Sequence, residues 1–166
     1  MIKHSILMVF ALPLLMMAGC SEAQNTVAEV ENPAQQAFYE LYKSPTCGCC
    51  EGWMNQMSEQ GYSAAVHHPE NLDVVKAELG VRPQYQSCHT AVWQSGHVFE
   101  GHIPARYIEE FLRNPPPDAI GLAVPGMPMG SPGMEMGDRF DPYDILLLKV
   151  DGNSEVFARV ENAGQQ

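Results

Sequence analysis

The 166-residue chain predicts an α/β domain: a mixed sheet with flanking helices, a methionine-rich loop and a C-terminal β-hairpin. Three observations predict it. Short β-prone segments alternate with segments of helical period. A pair of cysteines with C-x-x-C spacing, Cys47 and Cys50, follows the first β-prone segment. Asp151-Gly152-Asn153 separates two further β-prone runs near the C-terminus.

The elements follow in order. Phe38 to Lys43 is aromatic-rich and suits a strand, broken by Ser44-Pro45-Thr46. Glu51 to Gln60 carries Trp53, Met54 and Met57 at helical spacing, which reads as a core face, and Gly61 is its stop. Tyr62 to His67 is a second strand. Asn71 to Leu79 is a helix capped by Asn71, with Leu72, Val75 and Leu79 on its apolar face and Gly80 at its end. Thr90 to Trp93 and Val98 to Glu100 are short strands about a Gln94-Ser95-Gly96-His97 hairpin. Pro104 starts a helix over Ala105 to Arg113, because proline suits the first helical position, and Asn114-Pro115-Pro116-Pro117 ends it. Residues 115–142 read as one Pro/Gly/Met-rich loop. Tyr143 to Val150 and Ser154 to Val160 form the closing hairpin. The order β-α-β-α-β-β-α, with redox-spaced cysteines after the first strand, looks thioredoxin-like. Its early βαβ units imply parallel pairing, and its hairpins add antiparallel strands.

The N-terminus reads as an address. Lys3 and His4 precede an apolar run from Ile6 to Met17. That run is shorter than the roughly 20 apolar residues a spanning helix needs. It ends in Leu15-Met16-Met17-Ala18-Gly19-Cys20, which resembles a bacterial lipoprotein signal over residues 1–19 with Cys20 as the lipidated residue. The alternative is an ordinary secretory leader with an incidental cysteine. Ser21 stands where aspartate is the usual inner-membrane retention signal, so the expected location is the periplasmic face of the outer membrane, held by the lipid alone. Residues 20–36 read as a flexible tether, 37–160 as one domain and 161–166 as a tail. Twenty acidic residues against nine basic ones disfavour nucleic acid as a partner.

Cys47-Gly48-Cys49-Cys50 packs three thiols into four positions, and Cys88 follows in Ser87-Cys88-His89. The periplasm favours disulfides, so bare vicinal thiols there need a bound soft metal or redox work. Their place before a helix lowers thiol pKa, because the helix dipole and free amides stabilise the anion. Zinc sites prefer two separated C-x-x-C knuckles, a poor match to three clustered thiols and one distant one. Soft thiolates select Cu(I), which forms sulfur-bridged multinuclear clusters. The competing reading is a Cys47–Cys50 or Cys49–Cys88 disulfide that staples the domain, although a staple leaves the extra thiol without a purpose.

Pro125-Gly126-Met127-Pro128-Met129-Gly130 returns seven residues later as Pro132-Gly133-Met134-Glu135-Met136-Gly137. Thioethers are soft and cannot join into disulfides, so Met127, Met129, Met134 and Met136 are candidate Cu(I) ligands. A Met-rich adaptable surface or core cover is the alternative. His89, beside Cys88, is a candidate ligand or a satisfied structural ring. His97 and His102 flank a strand at a spacing that does not require a shared face. His67-His68 reads as an ordinary strand end.

Four blocks occur in order: Cys47-Gly48-Cys49-Cys50-Glu51-Gly52-Trp53, Ser87 to Val92, Glu100-Gly101-His102-Ile103-Pro104-Ala105, and Gly121 to Glu135. Together they resemble the CopG-like periplasmic copper-resistance proteins, a metal-binding domain formerly of unknown function, over about Phe38 to Val160. The resemblance implies a thioredoxin-like fold and copper, as Cu(I), held by Cys47, Cys49, Cys50 and Cys88. It also implies a role in copper tolerance, with interconversion of Cu(I) and Cu(II). Partners would be copper ions and other periplasmic copper carriers or efflux components. The rival function is a thiol-disulfide oxidoreductase with Cys47 as nucleophile and Cys50 as resolving thiol.

Overall fold

The computed structural model describes residues 38–166. The leader, Cys20 and the tether lie outside the described residues. Seven strands make one mixed sheet: β1 (Phe38–Lys43), β2 (Ser63–His67), β3 (His89–Trp93), β4 (Val98–Glu100), β5 (Ala119–Ala123), β6 (Tyr143–Lys149) and β7 (Ser154–Val160). Their spatial order is β2-β1-β3-β4-β5-β6-β7. β1 pairs parallel to β2 and β4 parallel to β5; the other neighbours are antiparallel. Three helices accompany them: α1 (Gly48–Glu59), α2 (Leu72–Glu78) and α3 (Ala105–Arg113).

The strand alternation sorts side chains between two faces. Tyr39, Leu41, Ala91, Trp93, Phe99 and Leu122 meet Trp53 and Met57 of α1 and Ile108 and Phe111 of α3 in the main core. Val98, Ala123, Leu148 and Val81 form a smaller core. Trp53 and Met57 are buried core residues, as their spacing predicts. Trp53 donates its indole N–H to Ile103 O at 2.8 Å, so its one polar atom is satisfied.

Three sequence expectations change. The 115–142 stretch is not all loop, because β5 lies inside it and fills the sheet between β4 and β6. Ala-Ile-Gly-Leu-Ala is short, and all its residues but Ile120 are buried, so it shows none of the in-out alternation that marks a half-exposed strand. Helix α1 starts at Gly48 rather than Glu51, which makes Cys47 its N-cap and puts Cys49 and Cys50 in its first turn. On α2 the predicted Asn71 cap is present, accepting from Val74 N–H at 3.2 Å, but the one buried residue is Lys76.

The topology gathers one end of the sheet. β3 runs antiparallel to both β1 and β4, and β4 runs parallel to β5. The C-terminal ends of β1, β4 and β5 therefore meet the N-terminal end of β3. The cysteine segment leaves β1 at that end, Cys88 enters β3 there, and the methionine loop leaves β5 there.

Gly121 shows how tightly β4 and β5 approach. It has φ +154°, and a Cβ on it would stand 1.7 Å from Val98 O. Gly121→Ala is expected to cost about 3 kcal/mol or more. Gly48→Ala, which meets nothing within 4 Å in the first turn of α1, should change stability by less than about 1 kcal/mol. Urea denaturation of the two variants measures both.

Candidate metal centre

Strand β1 ends in Lys43, whose buried ammonium reaches Glu51 of the first turn of α1 at 2.7 Å and Ser44 O at 3.1 Å. This ties the strand end to the helix start across the turn that carries the cysteines. Cys47 caps the helix, its sulfur accepting from the Cys50 N–H at 3.3 Å. Cys47 and Cys50 are joined as a disulfide, while Cys49 and Cys88 are free. Cys49 Sγ lies 3.5 Å from Cys47 Sγ and 3.7 Å from Cys88 Sγ; Cys88 Sγ lies 3.5 Å from Cys50 Sγ. All four sulfurs fall within 4.8 Å of one another. Both sequence readings of the cysteines thus have a counterpart: the redox-spaced pair is bonded, and all four thiols converge.

Cys88 is held from behind. Glu100, fully buried at the end of β4, accepts from Ser87 N–H at 2.6 Å, from Thr90 Oγ1 at 2.5 Å and from the buried Lys76 ammonium. Lys76 also donates to Thr90 Oγ1 at 3.0 Å. Burial pushes the Glu100 carboxyl up, against the pull of Lys76, Thr90 and Ser87, which favour the anion.

Two histidines close the other side. Cys88 Sγ is 2.9 Å from His102 Nε2 and 3.5 Å from His89 Nδ1. The opposite nitrogen of His102, Nδ1, stands 2.7 Å from Pro132 O. A carbonyl can only accept, so Nδ1 carries the proton and Nε2 faces the thiol with its lone pair. His89 is fully buried, its ring 4.6 Å from that of Trp53 and 5.0 Å from that of His102.

The protonation states follow from burial. The Cys88 thiol is pushed up to about 12, first by desolvation and then by Cys49 beside it. His89 is held well below the ordinary imidazole value by burial, with His102 and Lys76 acting the same way. His102 is lowered by burial, against the Pro132 carbonyl and Glu135. Burial thus favours the neutral thiol of Cys88 and the neutral imidazoles beside it. The helix start expected to lower thiol pKa carries Cys47, Cys49 and Cys50, whereas Cys88 lies just before β3.

Of the predicted ligands, the four cysteines and His89 come together. The methionine loop is fastened at the first turn of each copy of its repeat. Gly126 donates its N–H to Gln86 O at 3.1 Å and accepts from the Ser87 hydroxyl, just before Cys88. Gly133, at φ +84°, lies so close to α1 that a Cβ would stand 2.5 Å from both Cys49 O and Trp53 N. Met127 and Met136 are exposed, and Met129 and Met134 are half-buried. His97 turns to Ser95 and Phe111, and His67 pairs with Glu40. The residue that sequence reasoning missed is His102. Its signal lay in the hairpin register: Thr90 pairs with Glu100, and one more step of the non-adjacent pairs sets residue 88 opposite 102.

Glu100→Ala would leave the Lys76 ammonium buried without a counter-charge and is expected to cost about 3–5 kcal/mol. Lys76→Met combined with Glu100→Leu should cost less than the sum of its two single changes. Urea denaturation of the four proteins closes that cycle, and additive costs would show the pair to be uncoupled.

A family model described as "Protein of unknown function, DUF411" matches residues 85–134, which span Cys88, His89, His102 and three of the four loop methionines, Met127, Met129 and Met134. No curated protein matches the chain. Two solved structures do: copper resistance protein CopG, form 1, at 38% identity and TM-score 0.70, and form 2, at 40% identity and TM-score 0.70. Each alignment covers 75% of this chain and 98% of the solved one. With that identity over almost the whole of the solved chains, the chain belongs to the CopG family of copper resistance proteins.

Proposed function

We propose that this protein binds copper in copper resistance, holding Cu(I) in a multinuclear thiolate cluster of Cys47, Cys49, Cys50 and Cys88 on a thioredoxin-like scaffold, and that it interconverts Cu(I) and Cu(II). The observation that carries the reading is the convergence of four sulfurs within 4.8 Å. Two sulfurs about 2.3 Å from one ion, at tetrahedral to trigonal angles, stand about 3.8–4.0 Å apart. The three non-bonded separations of 3.5–3.7 Å need only small opening, and the bonded Cys47–Cys50 pair must first be reduced. Thiolates are the soft donors that Cu(I) prefers, and the copper-resistance relatives support that metal over zinc.

The Cys47–Cys50 disulfide supports the redox part. Oxidation of these two thiolates to the disulfide releases two electrons, enough to reduce two Cu(II) ions to Cu(I). In reverse, two Cu(I) ions would give two electrons to the disulfide, becoming two Cu(II) ions and returning both sulfurs as thiolates. Met127, Met129, Met134 and Met136 would serve as soft outer ligands, and other periplasmic copper carriers or efflux components would deliver or receive the metal. The lipoprotein-like leader ending at Cys20 supports attachment to the outer membrane, facing the periplasm.

Cu(I) titration of the reduced protein against a chromogenic chelator is expected to saturate above one copper per chain, and Cys49→Ser should lower that number. Zero copper, or a preference for zinc, would overturn the reading. The bonded Cys47–Cys50 pair at a helix start favours one alternative, a thiol-disulfide oxidoreductase. Metal-independent reduction of a disulfide substrate, lost in Cys47→Ser and retained in Cys49→Ser, would establish that function instead.

A further inference from the structure

We infer that Cys88, His89 and His102 form a second, mixed sulfur–nitrogen metal site that takes a borderline divalent cation such as Cu(II) and shares the Cys88 sulfur with the four-thiol centre. The inference rests on the copper reading of the four cysteines but uses two side chains that the cluster does not.

The three donor atoms lie within 4.8 Å of one another. A sulfur about 2.3 Å and a nitrogen about 2.0 Å from one ion, at tetrahedral to trigonal angles, stand about 3.5–3.7 Å apart. Cys88 Sγ and His89 Nδ1 are already 3.5 Å apart. Cys88 Sγ and His102 Nε2, at 2.9 Å, have the spacing of a gap filled by a proton. Replacing that proton by an ion requires roughly 0.6 Å of opening to reach the same geometry.

Ligation needs each ring to present a lone pair to the ion. His102 is oriented as metal-binding histidines are, with its remote N–H donating to a backbone carbonyl, here Pro132 O at 2.7 Å. His89 supplies the second argument. Its ring is fully buried and Nε2 makes no hydrogen bond of good geometry, with the Gly101 backbone alone favouring the protonated ring. A ring that only filled space would be better replaced by a hydrocarbon, because an unpaired buried polar atom is costly. A ring kept for its Nδ1 toward Cys88 has a reason to be imidazole.

The donor set decides the occupant. Two imidazoles and one thiolate suit Cu(II) and similar borderline ions, whereas four thiolates suit Cu(I). The chain would then offer each oxidation state its preferred donors on either side of one sulfur.

Co(II), which does not oxidise thiols, tests this in the full chain with its Cys47–Cys50 disulfide intact and Cys49→Ser in place. Cys88 is then the one free thiol among the described residues. One equivalent of Co(II) should give a thiolate charge-transfer band and four-coordinate visible bands. His102→Gln should weaken Co(II) binding at least tenfold. Because His89 is wholly buried, His89→Gln is interpreted only with a native circular dichroism spectrum, and His102→Cys provides a second variant, which should restore the band with added sulfur character. A Co(II) spectrum unchanged by His102→Gln, or absent with Cys88, His89 and His102 all intact, overturns the inference. A Co(II) site present in a protein that binds no Cu(I) would sink the cluster reading alone.

Discussion

The arrangement of the centre depends on one buried carboxylate. Glu100 gathers an ammonium from α2, a hydroxyl from β3 and the backbone N–H of Ser87, all without solvent. An ion pair so placed is a weak source of net stability, since desolvating both charges offsets most of their attraction. What it imposes is position. Each partner that failed to arrive would leave a buried polar group unpaired, so α2, the β3–β4 hairpin and the segment entering Cys88 are fixed together. Cys88 has no other covalent or helical restraint, and it is the sulfur that touches both the cysteine turn and the histidines.

On the opposite side, the cysteine turn is positioned by ordinary secondary structure. Lys43 and Glu51 clamp the junction of β1 and α1, and the N-cap role of Cys47 sets the first turn. The methionine loop then crosses the centre and is fastened to both halves, at Gly126 beside Ser87 and at Gly133 against α1. Pro132, between those contacts, orients His102. The repeat has a role beyond its methionines: its backbone determines which nitrogen of His102 faces Cys88.

Much of this was readable in the sequence, and the gaps have physical causes. Chemical identity carried well, since four soft thiols and a duplicated methionine motif announce themselves wherever the chain folds. Periodicity carried the elements with one exposed face. It failed for β5, which is nearly buried throughout and resembles a short apolar loop segment. It was incomplete on α2, where Leu72, Val75 and Leu79 are half-buried as the pattern suggests but the fully buried side chain is Lys76. A lysine pattern reads as solvent-facing because the sequence does not show the carboxylate waiting for it 24 residues later. His102 was missed for a different reason: the hairpin was recognised, but its register was not extended past the last strand residue.

The protonation pattern links these pieces. In the centre as found, two sulfurs are occupied by each other, and Cys88 is occupied by a proton shared toward His102. Burial that raises the Cys88 thiol also lowers both imidazoles, so both shifts favour a site without charge separation. A buried thiolate left alone would be expensive, whereas a thiolate bound to a soft cation is not. The same low-polarity surroundings that favour the neutral groups would, under the proposed copper reading, favour a cation that bonds strongly to sulfur over one that merely carries charge.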